Sequence, residues 1–134
     1  MPPPLSDRVP FAEADWAAVP DVPGAYVVYD RDEVVYVGMA GRNGKGSLRR
    51  RLKAHASGQI VNMFAQYLFL DRAQFVYEAE HGERVRHPRV AKQACRAYID
   101  ARCAFAWATA ASGAEAQALE TDLRRHLVPA LNPL

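Results

Sequence analysis

Apolar positions along this chain switch between a spacing of two and a spacing of three or four, and those switches mark out its elements. Val27-Val28-Tyr29 and Val34-Val35-Tyr36-Val37 are β-branched and aromatic runs flanking the polar Asp30-Arg31-Asp32-Glu33, which is the pattern of a β-hairpin. Register decides which of its side chains share a face, because strands alternate with period two. Pairing of Tyr29 with Glu33 across a three-residue loop puts Tyr26 opposite Tyr36. Pairing of Tyr29 with Val34 sends the two tyrosines to opposite faces. The first register is the one expected. Next, Gly41-Arg42-Asn43-Gly44-Lys45-Gly46 is a glycine-rich basic loop ending at Ser47, a good helix N-cap. Leu48 and Leu52 mark the buried stripe of a short helix stopping near Gly58, with Arg51 and His55 as i, i+4 neighbours on one face.

The remaining pattern is less uniform. Residues 60–70 are strongly apolar and predict a core helix, with a buried strand as the alternative. Gln74–Glu80 predicts a short strand, and Gly82 a turn. Pro88 suits the first turn of a helix running to about Ala101. Cys103–Thr109 alternates, with Phe105 and Trp107 on one side, as a strand does. Ser112 and Glu115 form a capping box opening the last helix, which ends before Pro129. Residues 1–22, with five prolines and Trp16, are expected to wrap the surface as an N-terminal extension of a domain over 23–134.

Composition changes this picture little. A chain of 134 residues is one domain with room for an ordinary core. No apolar stretch approaches the ~20 residues that span a bilayer. Met1-Pro2-Pro3-Pro4 lacks a basic and then apolar leader, and Cys95 and Cys103 form no CxxC pair. Both point to buried thiols in a reducing compartment, so a cytoplasmic location is expected.

Charge changes it more. The formal net charge is only +2, but residues 34–57 hold six basic side chains (Arg42, Lys45, Arg49, Arg50, Arg51, Lys53) and no acidic one. Such a patch is the footprint of a polyanion site. The glycine-rich loop is not a nucleotide-binding P-loop, since its lysine precedes the last glycine and no GxxxxGK[ST] occurs.

Taken together, Pro23-Gly24-Ala25-Tyr26, Tyr36-Val37-Gly38, Leu48-Arg49-Arg50-Arg51-Leu52, Ala118-Leu119-Glu120-Thr121-Asp122-Leu123, Pro129 and Asn132 resemble the GIY-YIG endonuclease family, in order and in spacing. The nuclease domains of the bacterial excision-repair incision subunit and of certain homing endonucleases share that order. The resemblance covers roughly Val22 to Asn132. It implies an α/β fold, a small three-stranded mainly antiparallel sheet flanked by helices, with an insertion near residues 71–87. Two departures stand out. The first tripeptide is Gly-Ala-Tyr, and Met39 stands where several members carry lysine.

The chemistry of these residues suits phosphodiester hydrolysis, which needs charge neutralisation, an activated water and a stabilised leaving group. Glu120 is expected to ligate Mg²⁺ or Mn²⁺. Arg51 is expected to hold the scissile phosphate. Tyr26 orients or deprotonates the water, Tyr36 positions water or phosphate, and His55 assists proton transfer or binds phosphate. Asn132 ties the C-terminal segment to the site or polarises a ligand. Arg42, Lys45, Arg49, Arg50 and Lys53 are expected to contact nucleic acid, with Lys45 able to replace the lysine absent at Met39. The expected activity is a metal-dependent DNA endonuclease, a monomer or weak homodimer that nicks with low sequence specificity, with RNA left open as substrate. Two other readings stay open: a catalytically impaired nucleic-acid-binding module on the same fold, and an interaction protein using the apolar 60–70 segment.

Overall fold

A computed structural model describes residues 4–59 and 62–132, so Ile60 and Val61 of the apolar run lie outside the described residues. Strand β1 (Val9–Pro10) is followed by β2 (Gly24–Asp30) and β3 (Glu33–Ala40), then helix α1 (Leu48–Ala56). Helix α2 (Met63–Leu68) runs through a π-helical turn (Phe69–Ala73) into α3 (Gln74–His81). Helix α4 (Pro88–Arg102), strand β4 (Cys103–Thr109) and helix α5 (Gly113–Leu127) complete the order. The sheet is antiparallel throughout, in the order β1-β4-β2-β3.

The fourth strand corrects the expected three. Residues 1–22 were expected to wrap the surface; instead β1 pairs with β4 through Val9–Phe105 and Pro10–Ala104. Phe11 and Trp16 then pack on Phe105, with ring centroids 4.7 and 5.6 Å away. Aromatic burial anchors this proline-rich segment.

The hairpin register also differs, in an instructive way. Tyr29 pairs with Val34 and Asp30 with Glu33, so the turn holds two residues, Arg31 and Asp32. That is the register expected to separate the tyrosines. A β-bulge between Val28 and Tyr29 cancels the separation, because Val28 then pairs with Tyr36 and Tyr26 with Gly38. One unpaired residue, Val35, restores the parity. Tyr26 and Tyr36 share a face, with ring centroids 6.4 Å apart.

The sheet buries both faces. Tyr26, Val28, Tyr36 and Phe105 pack with Leu48, Leu52, Phe64, Leu68 and Ile99 from α1, α2 and α4. Ala25, Val27, Tyr29, Val37 and Ala106 pack against Leu123 of α5 on the other face. β3 is therefore an edge strand with helices of different layers on its two sides.

Gln74–Glu80 is helical rather than extended. Phe75, Val76 and Tyr77 favour strands locally, but a helix already propagating from Met63 adds one hydrogen bond per residue without a new nucleus. Gly82, with φ 73°, closes α3 in the left-handed conformation. Residues 71–87, expected as an insertion, thus hold α3, which packs against α4.

Candidate active site

The site forms where the two faces of the sheet meet at β3. The loop after β3 and the start of α1 supply its rim. Ser47 caps α1 by accepting a hydrogen bond from Arg50 N–H, while the N–H groups of Leu48 and Arg49 donate to the carbonyls of Val22 and Pro20. The N-terminus of α1 is therefore spent on protein partners, and its cationic side chains are what face the cavity.

That cavity has a volume of about 670 Å³. Tyr26 and Tyr36 come from β2 and β3, Arg50 and Arg51 from α1, Arg42 and Lys45 from the glycine-rich loop, and Glu120 and Arg124 from α5. Met39, Met63 and Asn132 also line it. Glycines fix its floor. A Cβ on Gly38 would run into the hydroxyl and Cζ of Tyr26, so only glycine lets the phenol lie across β3. A Cβ on Gly24 would collide with the Ala108 carbonyl and meet Leu48 Cδ1 at 2.7 Å.

Tyr26 is 1% exposed, and its hydroxyl lies 2.5 Å from Nε2 of fully buried His55. Burial raises the Tyr26 pKa, as does neighbouring Tyr36, while the Arg51 guanidinium pulls it down. Burial, with Arg51 beside it, lowers His55 to about 3, so the imidazole is neutral. A neutral imidazole accepts the phenol proton at Nε2 and carries its own on Nδ1. His55 Nδ1 has no partner within hydrogen-bonding geometry among the described residues. The Asn62 side chain makes the smallest contribution to the His55 pKa, and its amide is engaged with Ala65 N–H and the Gln59 carbonyl. Burial also raises Tyr36, again opposed by Arg51.

Among the described residues, Glu120 is the one carboxylate lining the cavity. Burial raises its pKa, opposed by Arg124 and Arg42, and Arg124 Nη1 lies 3.8 Å from its Oε1. Arg124 did not figure among the expected site residues. Its signal was present in the sequence as an i, i+4 partner of Glu120.

Several expected residues sit elsewhere. Arg49 lies about 200° round α1 from Arg51 and points away from the cavity. Its guanidinium donates to the carbonyls of Val19 and Ala17 at 2.9 and 3.3 Å, tying the N-terminal segment to the helix. Exposed Lys53 shares that flank and does not line the cavity either. His55 is a buried partner of Tyr26, out of reach of a phosphate. Asn132 accepts from Val37 N–H at 2.7 Å and donates to the Val37 carbonyl at 2.8 Å. With Leu131 N–H on the Val35 carbonyl at 2.7 Å, it clamps the C-terminal segment along the outer edge of β3. Both halves of its amide are thereby used on backbone, which leaves it a positioning role.

A model of the GIY-YIG catalytic domain matches residues 25–133. The chain belongs to the GIY-YIG family. Among solved structures, this GIY-YIG domain is similar to the N-terminal GIY-YIG endonuclease domain of UvrC from Thermotoga maritima, described there as bound to its catalytic divalent cation, magnesium. Identity is 16%, the TM-score is 0.42, and the match covers 88% of this chain and 91% of that one. No curated protein matches. The family match takes in β2 from Ala25 on, the Tyr-Val-Gly strand, α1 and α5, with all of β1 and its aromatic anchor ahead of it.

Proposed function

We propose that this GIY-YIG domain is a divalent-metal-dependent DNA endonuclease that nicks duplexes with low sequence specificity. One observation carries the proposal: Tyr26, Tyr36, Arg51 and Glu120, from four different elements, converge on one cavity whose other charged side chains are, among the described residues, all cationic. Such a cavity is short of negative charge, and a phosphodiester supplies it.

The residues fit a single metal ion. No group of three or more His, Cys, Asp or Glu side chains converges among the described residues. Glu120 would hold the ion alone, and phosphate oxygens and water would complete the shell, as magnesium commonly allows. The bound ion supplies neutralisation of the phosphate and of the leaving oxygen.

The chain's own groups do the rest. Arg51 holds a non-bridging phosphate oxygen, with Arg50, Arg42 and Lys45 contacting the flanking backbone. Tyr36 orients the attacking water. Tyr26 accepts a hydrogen bond from the attacking water at its phenolic oxygen while donating its own proton to Nε2 of His55. The burial that lowers the imidazole to about 3 makes it a fixed acceptor for that phenol and not a store for the water's proton, which leaves to solvent.

The impaired-module reading draws on the Glu120–Arg124 pair, since a carboxylate held by an arginine has less capacity for metal. Nicking of supercoiled plasmid separates the two. Open circles formed in magnesium and suppressed by EDTA are expected; undiminished cleavage in EDTA overturns the metal mechanism, and tight binding without cleavage leaves the impaired module.

A further inference from the structure

Met63 stands on the cavity rim, nearly half exposed, and Tyr67 and Leu70 follow it along the same helix face. By α-helical spacing Met63 and Tyr67 fall about 40° apart, and Leu70 follows within the π-helical turn, about 10 Å along the axis from Met63. Tyr67 and Leu70, with Asp71, Ala130 and Leu131, line a second, shallow hollow of about 310 Å³. Two chain segments run from the cavity to the hollow. The helix carries one into the other from Met63 to Tyr67. The C-terminal segment does the same, because Asn132 lines the cavity while Leu131 and Ala130 line the hollow. Tyr67 is also near enough to Tyr36 to influence its ionisation.

The two depressions differ sharply in charge. Arginine and lysine dominate the cavity, whereas among the described residues the hollow has no cationic lining residue and one acid, Asp71. Asp71 is held in place by Arg72 Nε at 3.0 Å. A phosphate has nothing to bind in the hollow. A nucleobase does: its flat face matches the Tyr67 ring and Leu70, and amino groups on its edge suit a carboxylate acceptor.

We propose that this hollow receives an unpaired base of the strand whose phosphate lies in the cavity, stacked on Tyr67. The proposal rests on the nuclease function proposed above and adds its substrate class, DNA distorted one or two nucleotides from the cut. A base inside an intact duplex reaches the hollow only by leaving the stack, which costs a few kcal/mol and least where pairing is already lost. The apolar 60–70 segment thus acquires a use that phosphate chemistry alone does not give it.

The test uses the whole chain in EDTA, with two duplexes carrying 2-aminopurine, one paired and one with the base opposite an abasic site. Wild type should bind the second about ten-fold more tightly and quench its fluorescence. Tyr67→Ala should lose both effects and Tyr67→Phe keep them. Leu70→Glu, at a 60% exposed position where folding is not at stake, should lose the preference while binding the paired duplex nearly as well as wild type. Equal wild-type binding of the two duplexes, or a preference surviving both Tyr67→Ala and Leu70→Glu, overturns the proposal and leaves the nuclease function standing. Binding of neither duplex overturns both. A wild-type dimer in sedimentation that Leu70→Glu converts to monomer assigns the face to a second copy of the chain and overturns the proposal as well.

Discussion

The two ends of the β2–β3 hairpin use the same side chains in opposite proportions. At the turn end, Arg72 Nη1 lies 2.8 Å from both Asp30 and Glu33, and its Nε lies 3.0 Å from Asp71. The Tyr98 hydroxyl donates to the same buried Asp30. Hydrogen bonds that Arg72 donates to Glu33 above all, then to Asp30 and Asp71, raise its pKa. At the open end, one acid, Glu120, sits among Arg42, Lys45, Arg50, Arg51 and Arg124. Tyrosine, arginine and carboxylate occur at both. At the turn the arginine is saturated by acids the protein itself provides, so the cluster serves architecture by locking the π-helical turn to the hairpin. At the cavity the cations outnumber the acids among the described residues, which leaves room for an anion from outside. The presence of a Tyr/Arg/acid set does not separate a joint from a site, but the sign of its charge surplus does.

The sharpest way to break this comparison is to remove the one acid of the cavity. Glu120→Ala should lower plasmid nicking by about 10³-fold while DNA retention stays near wild type, since no phosphate contact is lost. Weakened retention with nicking preserved would mean that Glu120 organises the cations and does not hold metal. Tyr26→Phe comes next, with turnover falling about 10²-fold or more and affinity little changed. If it remains fully active, Tyr36 orients the water alone.

Arg72→Ala probes the other end. Leaving buried Asp30 with Tyr98 alone should cost about 3 kcal/mol in urea unfolding, with nicking per folded molecule unchanged. A loss of rate in fully folded protein would show that the joint reaches the site. His55 contributes a pH dependence. Its folded pKa is depressed from 6.5 to about 3, so the unfolded chain takes up the proton first as pH falls. The stability it contributes is complete above pH 6.5 and declines below it, by about 1.4 kcal/mol per pH unit down toward 3. The unfolding free energy of His55→Gln should fall less steeply across that window. The smallest effect separates cations on one helix and loop. Arg42→Ala or Lys45→Ala should each reduce the salt slope of DNA binding by about one unit, whereas Arg49→Ala and Lys53→Ala should leave it unchanged.

Much of this arrangement was legible in the residues, and what was not has identifiable physical causes. The strands around Tyr26 and Tyr36, the Ser47 and Ser112 caps, Pro88 and the alternation of β4 all announce themselves locally. The bulge at Val35 does not, because Val34-Val35 reads as uninterrupted strand and only long-range pairing reveals the extra residue. Phe75-Val76-Tyr77 misleads because propensity is weaker than the momentum of a helix already begun. Arg49 and Lys53 were grouped with Arg50 and Arg51 by proximity in sequence, although α1 sends the pairs to different flanks. Phe11 and Trp16 lie among prolines, where apolar periodicity is hard to see, and only the sheet edge shows why they are there.

The clamp of Asn132 on Val37 has one more consequence. Val37 sits between Tyr36 and Gly38, and its amide proton is held by a side chain 95 residues away. Its hydrogen-exchange rate is therefore a readout of whether the C-terminal segment is docked, needing neither substrate nor metal. If that segment opens without the sheet unfolding, Val37 exchanges ahead of its strand neighbours, and the floor of the cavity reports its own assembly through a single proton.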